Sequence, residues 1–334
     1  MGERDELARG AAEPLARDGR GDRATEAFVA HRNLLFTVAY EMLGSAADAE
    51  DILQEAWLRR AGVDPHTVHD PRAYLVRITT RQALGRLRTL RRRKESYVGP
   101  WLPEPLLTTP DVAEDIELAD SVSMAMLLVL ETLTPTERAV FVLREVFGLE
   151  YDEIAEAVGK SPAAVRQIAH RARRHVAARR PREVVSPAVT RAALTAFQRA
   201  VETGDLQGLL DILAPDVVLL GDGGGVVQAV LEPVVGAGPV ARLVAGLGRF
   251  GAAAALQPAQ VNGCPALILR LNGRIDTVLA VRVDGGLVTG LYAVRNAVKL
   301  SRVERATTLR RQEAVPRAHR PPSGTSASRG AAGD

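Results

Sequence analysis

The stretch from Glu150 to Val176, EYDEIAEAVGKSPAAVRQIAHRARRHV, divides into two short helical patterns around a turn. Ala155 is small where two helices must approach closely, and Gly159 follows where the chain needs a positive φ. Ser161 supplies an N-cap and Pro162 a first helical residue. At about 100° per residue, Val165, Ile168, Ala169, Ala172 and Val176 share one face of the second helix. Arg166, Gln167, His170, Arg171, Arg173 and Arg174 are left pointing outward. This is a helix-turn-helix pattern. Its second helix suits a major groove, with Arg and Gln at base edges and the later arginines on phosphates. A solvated basic helix packed in an all-α domain would share the periodicity; the turn chemistry, the cap and the outward arginines together favour DNA contact.

The chain around this segment has 334 residues and is 46% hydrophobic, enough to bury at least two domain-sized cores. A single cysteine, Cys264, excludes an intrachain disulfide and a multi-cysteine zinc site. Met1 to Glu6 is charged where a signal peptide needs an apolar core, and no run of about 18 apolar residues occurs, so a cytoplasmic protein without membrane spans is expected. The net charge is only +3, yet it is segregated. Arg81 to Lys94 holds seven bases and no acid, Arg166 to Arg182 seven arginines and two histidines, and Asp111 to Asp120 five carboxylates and no base. Such segregation points to polyanion-binding surfaces.

Residues 1–22 are nearly free of large apolar side chains and read as a disordered extension. A helical pattern then runs from Thr25 to Arg60, broken at Gly44-Ser45, with Asp48, Glu50 and Asp51 starting the second helix. Asp70-Pro71 opens a third helix that ends in the basic run. The proline-rich piece from Gly99 to Pro105 cannot be helix interior and reads as a linker over residues 96–114. A second helical block spans 115–180, interrupted at Thr134-Pro135 and Gly148, and Pro181 to Pro187 is another joint. Beyond it, helices at Pro187–Thr203 and Asp205–Leu213 precede expected strands at Val217–Leu220, Val226–Leu231, Leu267–Leu271, Thr277–Val283 and Leu287–Val294. Asn272-Gly273 and Asp284-Gly285-Gly286 mark antiparallel turns. This third unit covers 187–303, and residues 304–334 read as a disordered tail.

On the helix before the first basic run, Tyr74, Arg77, Thr80 and Arg81 fall near one surface. An aromatic with bases at a helix end suits single-stranded bases, which stack and are held through phosphates. The competing reading places Tyr74 in the core.

The order of these parts resembles a known family. Ala49 to Trp57, then Asp70-Pro71-Arg72-Ala73-Tyr74-Leu75 and the basic run, resemble region 2 of extracytoplasmic-function sigma factors. Leu133-Thr134-Pro135-Thr136-Glu137-Arg138 followed by the helix-turn-helix resembles region 4. The linker Tyr97 to Leu106, the turn Asp222-Gly223-Gly224-Gly225 and the segment Leu291 to Asn296 resemble the subgroup with a fused SnoaL-like, NTF2-like domain. Departures are Val226 in place of a lysine, Asn296-Ala297-Val298-Lys299-Leu300 in place of Asn-Pro-Asp-Lys-Leu, and Gly85 in place of an acid.

The resemblance implies a multidomain fold: two all-α modules at 23–95 and 115–180, then an α+β cone. It implies minus-35 DNA contacts by Ser161, Ala163, Ala164, Arg166, Gln167, His170, Arg171 and Arg174. Minus-10 contacts would come from Tyr74, Arg77, Thr80, Arg81, Arg86, Arg88, Arg91 and Arg92. Asp48, Asp51, Gln54 and Glu55 would meet the β′ clamp of core RNA polymerase, with the β flap as region 4's partner. Trp101, Leu102 and Pro103 would meet Asp222, Gly223, Gly224 and Gly225 between domains, the tryptophan contributing about 1.5–3 kcal/mol when buried.

Two rival functions exist. A one-component regulator would use the helix-turn-helix with a ligand-binding cup, but leaves the Asp48–Trp57 helix and the Trp101 linker unused. An enzyme would need acid–base groups in the third unit, where no histidine falls between residues 190 and 303. Asp216, Asp222, Asp276, Asp284 and Tyr292 remain there without an obvious paired base. Neither catalysis, a cofactor nor a metal is expected; the cup leaves room for a small-molecule ligand.

Overall fold

The structure, a computed structural model, describes residues 19–109, 112, 115–179, 186–227, 229–246 and 254–311. Helix α1 (Gly19–Leu43) ends at Gly44, whose φ is 66°, and Ser45 caps α2 (Ala46–Ala61) by accepting from the Asp48 N–H. Asp70 Oδ1 accepts from the Ala73 N–H at 2.9 Å and so starts α3 (Pro71–Glu95). The first helix therefore begins before Thr25, and the expected disorder of 19–22 is corrected; the rest of that extension, 1–18, lies outside the described residues.

The second helical block has more breaks than the sequence suggests. Ser123 both ends α4 (Ile116–Val122) and caps α5 (Met124–Glu131). Thr134 forms a capping box with Glu137 and sets Pro135 at the start of α6 (Pro135–Phe141), which runs into a π turn over Val142–Val146. Then come α7 (Tyr151–Val158), Gly159 at φ 68°, the Ser161 cap and α8 (Pro162–Ala177). The five residues expected on the inner face of α8 are the five that are buried. The two modules are not separate bodies. Leu35, Leu75 and Leu84 share one apolar core with Val140, Leu143, Val165 and Val176. The Pro181–Pro187 joint lies mostly outside the described residues.

In the third unit, α9 (Pro187–Thr203) and α10 (Leu206–Ile212) lead into β1 (Leu213–Asp222), β2 (Val234–Val235) and α11 (Ala237–Ala245). Strands β3 (Ala254–Val261), β4 (Cys264–Leu271), β5 (Arg274–Asp284) and β6 (Leu287–Val294) follow, then α12 (Ala297–Leu300). The sheet order is β2-β1-β6-β5-β4-β3, antiparallel except for the parallel β1–β6 pair. Both faces are covered. Leu267, Leu279, Val281 and Leu291 face the helices, while Ala266, Ile268, Val278, Ala280 and Tyr292 pack with Leu102 and Met124. Burial on both faces is why the strands read as nearly unbroken apolar runs.

Two sequence expectations fail here. The described residues of Val226–Leu231 form no strand: the Val226 and Val227 N–H groups both close back on the Gly223 carbonyl, at 3.3 and 3.1 Å, and Val226 stands 91% exposed. β3 and α11 have no counterpart in the sequence reading. Residues 304–311 are not a tail but a strap. The Thr307 N–H donates to the Leu107 carbonyl at 2.6 Å, that of Arg310 to Thr37 Oγ1 at 3.0 Å, and Leu309 is buried in the helical core. Sparse apolar content hid this, because one leucine and backbone hydrogen bonds hold the segment. The remainder of the expected tail, 312–334, is outside the described residues.

Candidate nucleic-acid interface

Helix α8 presents Ser161, Ala163, Arg166, Gln167, His170, Arg171 and Arg174 at the surface, with Ala164 half-buried. Its orientation is braced from behind. His175 Nε2 and Thr132 Oγ1 lie 2.7 Å apart, and Arg171 Nε is 3.7 Å from Glu137. Tyr151 at the start of α7 underlies two arginines, Arg144 at 4.6 Å and Arg166 at 5.9 Å from the ring centre. Guanidinium groups on an aromatic face are held without losing their hydrogen-bond donors.

The expected minus-10 surface looks different. Arg77 Nη1 pairs with Glu156 Oε2 at 3.0 Å, and Arg81 Nη2 donates to the Glu156 carbonyl at 2.9 Å. Glu156 belongs to α7, so the basic face of α3 is turned toward the helix-turn-helix. Tyr74 is neither core nor free: Arg77 lies 5.5 Å from its ring centre, in a cleft shared with Asp152, Glu153 and Glu156. Thr80 is a correction. It is fully buried with Oγ1 unbonded, because α3 packs on two sides and the helical spacing that grouped it with Arg77 does not show which side meets α1. Arg88, Arg91 and Arg92 are exposed.

Among the expected polymerase contacts, Asp51, Gln54 and Glu55 are exposed, while Asp48 is half-buried. Arg86, assigned to DNA from sequence, donates to Asp48 Oδ1 at 2.6 Å and to Asp51 Oδ2 at 3.3 Å. It thus links the two surfaces.

The interdomain residues do come together. Asp222 is fully buried and accepts from the Leu102 N–H (2.9 Å), Tyr97 Oη (2.5 Å), Lys299 Nζ (2.7 Å) and the Gly224 N–H (3.1 Å). Loss of water raises the Tyr97 phenol, and the Asp222 hydrogen bond adds to that. Burial also lowers the Lys299 ammonium, although Asp222 opposes the shift. The glycines let the turn close on its neighbours: a Cβ on Gly225 would sit 3.3 Å from Val98 Cβ. The apolar knob is Leu102, which is fully buried. Trp101 is half-buried instead, with Lys94 Nζ 3.3 Å and Lys299 Nζ 4.1 Å from its ring centre. Burial pushes Lys94 down to about 8, against the pull of Glu131 at 2.5 Å.

Sequence reasoning missed Tyr40, Glu104, Glu156 and Asn262, all of which cross between parts of the chain. Only Asn262-Gly263 carried a local signal, as a turn pair of the same kind as Asn272-Gly273.

Two all-α regions with a capped helix-turn-helix, joined by a buried linker to an NTF2-like sheet, define the class: sigma-70-type promoter-recognition proteins. The family described as "Sigma-70 region 2" matches residues 27–93, and "Sigma-70, region 4" matches residues 123–176. The chain is 35% identical to the ECF RNA polymerase sigma factor SigJ of Mycobacterium tuberculosis, over 82% of this chain and 92% of SigJ. It is 35% identical to the probable ECF RNA polymerase sigma factor SigI of the same organism, over 82% of this chain and 93% of SigI. The crystal structure of M. tuberculosis SigJ superposes with a TM-score of 0.66 at 34% identity, covering 83% of this chain and 98% of that one. The chain belongs to the extracytoplasmic-function sigma factors, which direct bacterial RNA polymerase to specific promoters. Among the described residues no helix is long and apolar enough to cross a membrane.

Proposed function

We propose that this sigma factor is held shut before it meets polymerase, and that its C-terminal domain keeps it so. The observation that carries the reading is the contact of Arg77 and Arg81 with Glu156. The Arg77–Arg81 end of the basic face suited to a melted minus-10 strand is occupied by the motif suited to the minus-35 duplex. In the open form, Arg166, Gln167 and Arg171 of α8 read base edges while Arg174 touches phosphate. Tyr74, Arg77, Arg81, Arg88, Arg91 and Arg92 hold the melted strand, where capture of unstacked bases offsets an opening cost of a few kcal/mol. Asp51, Gln54 and Glu55 meet the β′ clamp, region 4 meets the β flap, and the linker runs toward the RNA exit path.

The C-terminal domain is a regulatory module without chemistry of its own. Three of its candidate acids are spent on structure: Asp222 on Lys299 and the linker, Asp276 on Arg295 at 2.9 Å, Asp284 on Thr289 at 2.9 Å. Cys264 is held protonated by burial, which pushes its thiol up to about 12.

The closed form is tested with Glu156→Arg in the full-length chain. Reversing that charge sets two guanidinium groups against each other and favours the open form. Affinity for core polymerase should rise several-fold, since a ligand that binds only an open minority is weakened by that fraction. Unchanged affinity would sink the closed-form reading.

A further inference from the structure

The turn between β3 and β4 is Asn262-Gly263, with φ angles of 54° and 70°. Both residues tolerate the left-handed region, so the pair suits a tight hairpin, which ordinarily faces water at the end of a sheet. Here Asn262 is 1% exposed, and its side chain is spent outside its own domain. Its N–H donates to the Leu106 carbonyl at 2.8 Å, and Oδ1 accepts from the Leu106 N–H at 3.0 Å. Nδ2 donates to Tyr40 Oη at 2.6 Å and to the Val122 carbonyl at 2.9 Å. The Tyr40 hydroxyl in turn donates to the Glu104 carbonyl at 2.6 Å, and the Gly263 N–H donates to Thr108 Oγ1 at 3.0 Å. A Cβ on Gly263 would stand 2.6 Å from Ala119 Cα, so the turn is seated against the backbone of α4.

We infer that the Asn262-Gly263 turn is the latch of the closed form, seated between region 2 and the helix leading into region 4, and that opening requires its withdrawal. The inference rests on the closed-form reading above. One amide group is divided between the modules: one proton goes to Tyr40 of α1, the other to the end of α4. If either module moves beyond hydrogen-bond reach, a buried donor and a buried carbonyl or phenol are left unpaired together. Packed against Ala119, the turn has no room to follow such a movement gradually. It is seated or withdrawn, which is how small displacements become two-state changes. The tie at Asp222 is of another kind. Its partners Tyr97 and Leu102 lie in the linker and Lys299 in its own domain, so separation of regions 2 and 4 leaves it intact. Asp222 anchors the C-terminal domain to the linker; Asn262 reports whether the two modules are together.

The test uses the full-length chain and labelled core polymerase. Asn262→Gly keeps the turn's freedom at positive φ and its backbone bond to Leu106, and removes only the amide. It should raise the affinity for core polymerase roughly tenfold. Tyr40→Phe keeps the ring in the core and should raise it several-fold. The double variant should exceed Asn262→Gly by little, because both remove the same bond. If Asn262→Gly does not fold cooperatively, Tyr40→Phe carries the test alone. Unchanged or lowered affinity in these variants, with a rise in Glu156→Arg, overturns the latch and leaves the closed form standing. No rise in any of them, Glu156→Arg included, overturns both.

Discussion

The recognition helix α8 and the basic helix α3 are similar in composition but are presented in opposite ways. Each carries arginines on one side and aliphatic residues on the other. On α8 the arginines face out, and its aliphatic side meets its own module. On α3 part of the basic side meets α7, through Arg77 and Arg81 on Glu156, and Arg86 is drawn to Asp48 and Asp51. The lesson is that acidic neighbours from the same chain decide how much of a basic face is open: on α8, Glu137 and Glu145 reach Arg171 and Arg173 at 3.7 and 3.4 Å but leave both exposed, whereas on α3 Glu156 covers one end of the face. On α3 that neighbour is the other DNA-binding module, so one contact covers the Arg77–Arg81 end while leaving Arg88, Arg91, Arg92 and α8 exposed.

The largest expected effect lies behind both faces, at the anchor of the C-terminal domain on the linker. Asp222→Ala leaves Lys299 buried without its carboxylate, and removing one partner of a buried pair costs about 3–5 kcal/mol. Denaturant unfolding of the full chain should show a loss of that order. A loss below about 1 kcal/mol would mean that the anchor is solvated.

A second effect comes from Glu41, buried beneath the junction of α1 with α4 and α6. Burial raises its carboxyl to about 8, although Ser121 and Arg138 pull the other way. The folded chain therefore keeps a proton that the unfolded chain releases from about 4.5 upward. This group's contribution is complete below that value and is lost as pH climbs toward 8. The slope from one group is at most about 1.4 kcal/mol per pH unit. Glu41→Gln should flatten the fall in thermal stability between those limits, and an unaltered pH profile would remove Glu41 from the junction's balance.

The exposed half is sharpened on α8. Arg166→Ala should cost about 1–3 kcal/mol of discrimination at one minus-35 position, read by competition between promoter variants. Equal weakening on every sequence would move Arg166 to the backbone class. Arg174→Ala gives the smallest change: uniform weakening, with the salt slope of binding reduced by about one. A sequence-dependent loss there would exchange the roles of the two arginines.

Legibility in the sequence follows the range of the forces. The cap at Ser161, the αL glycine at 159 and the inner face of α8 are fixed within a few residues and were read as such, while Ser45 and Thr134 were read as breaks and prove to be caps. Thr80 was misplaced because helical spacing gives a face but not the neighbours on that face. Val226–Leu231 failed because its first residues are spent on the glycine turn, the Val226 and Val227 N–H groups both donating to the Gly223 carbonyl. The strap at 304–311 is held by backbone groups and one leucine, a signal too small to stand out from polar sequence.

By itself the sequence determined the two sigma regions, their order and where the basic residues cluster, because these rest on local periodicity, capping and side-chain type. It also brought Asp222 and the Trp101-Leu102-Pro103 linker under suspicion as a joint. Only the tertiary structure decided which basic face is covered, that regions 2 and 4 share one core, and that Leu102 rather than Trp101 is the buried knob. It alone brought Asn262 to Tyr40, 222 positions away in the chain. The reason is physical: a hydrogen bond between distant residues depends on the packing of every element between them, and nothing in the composition of either neighbourhood records it.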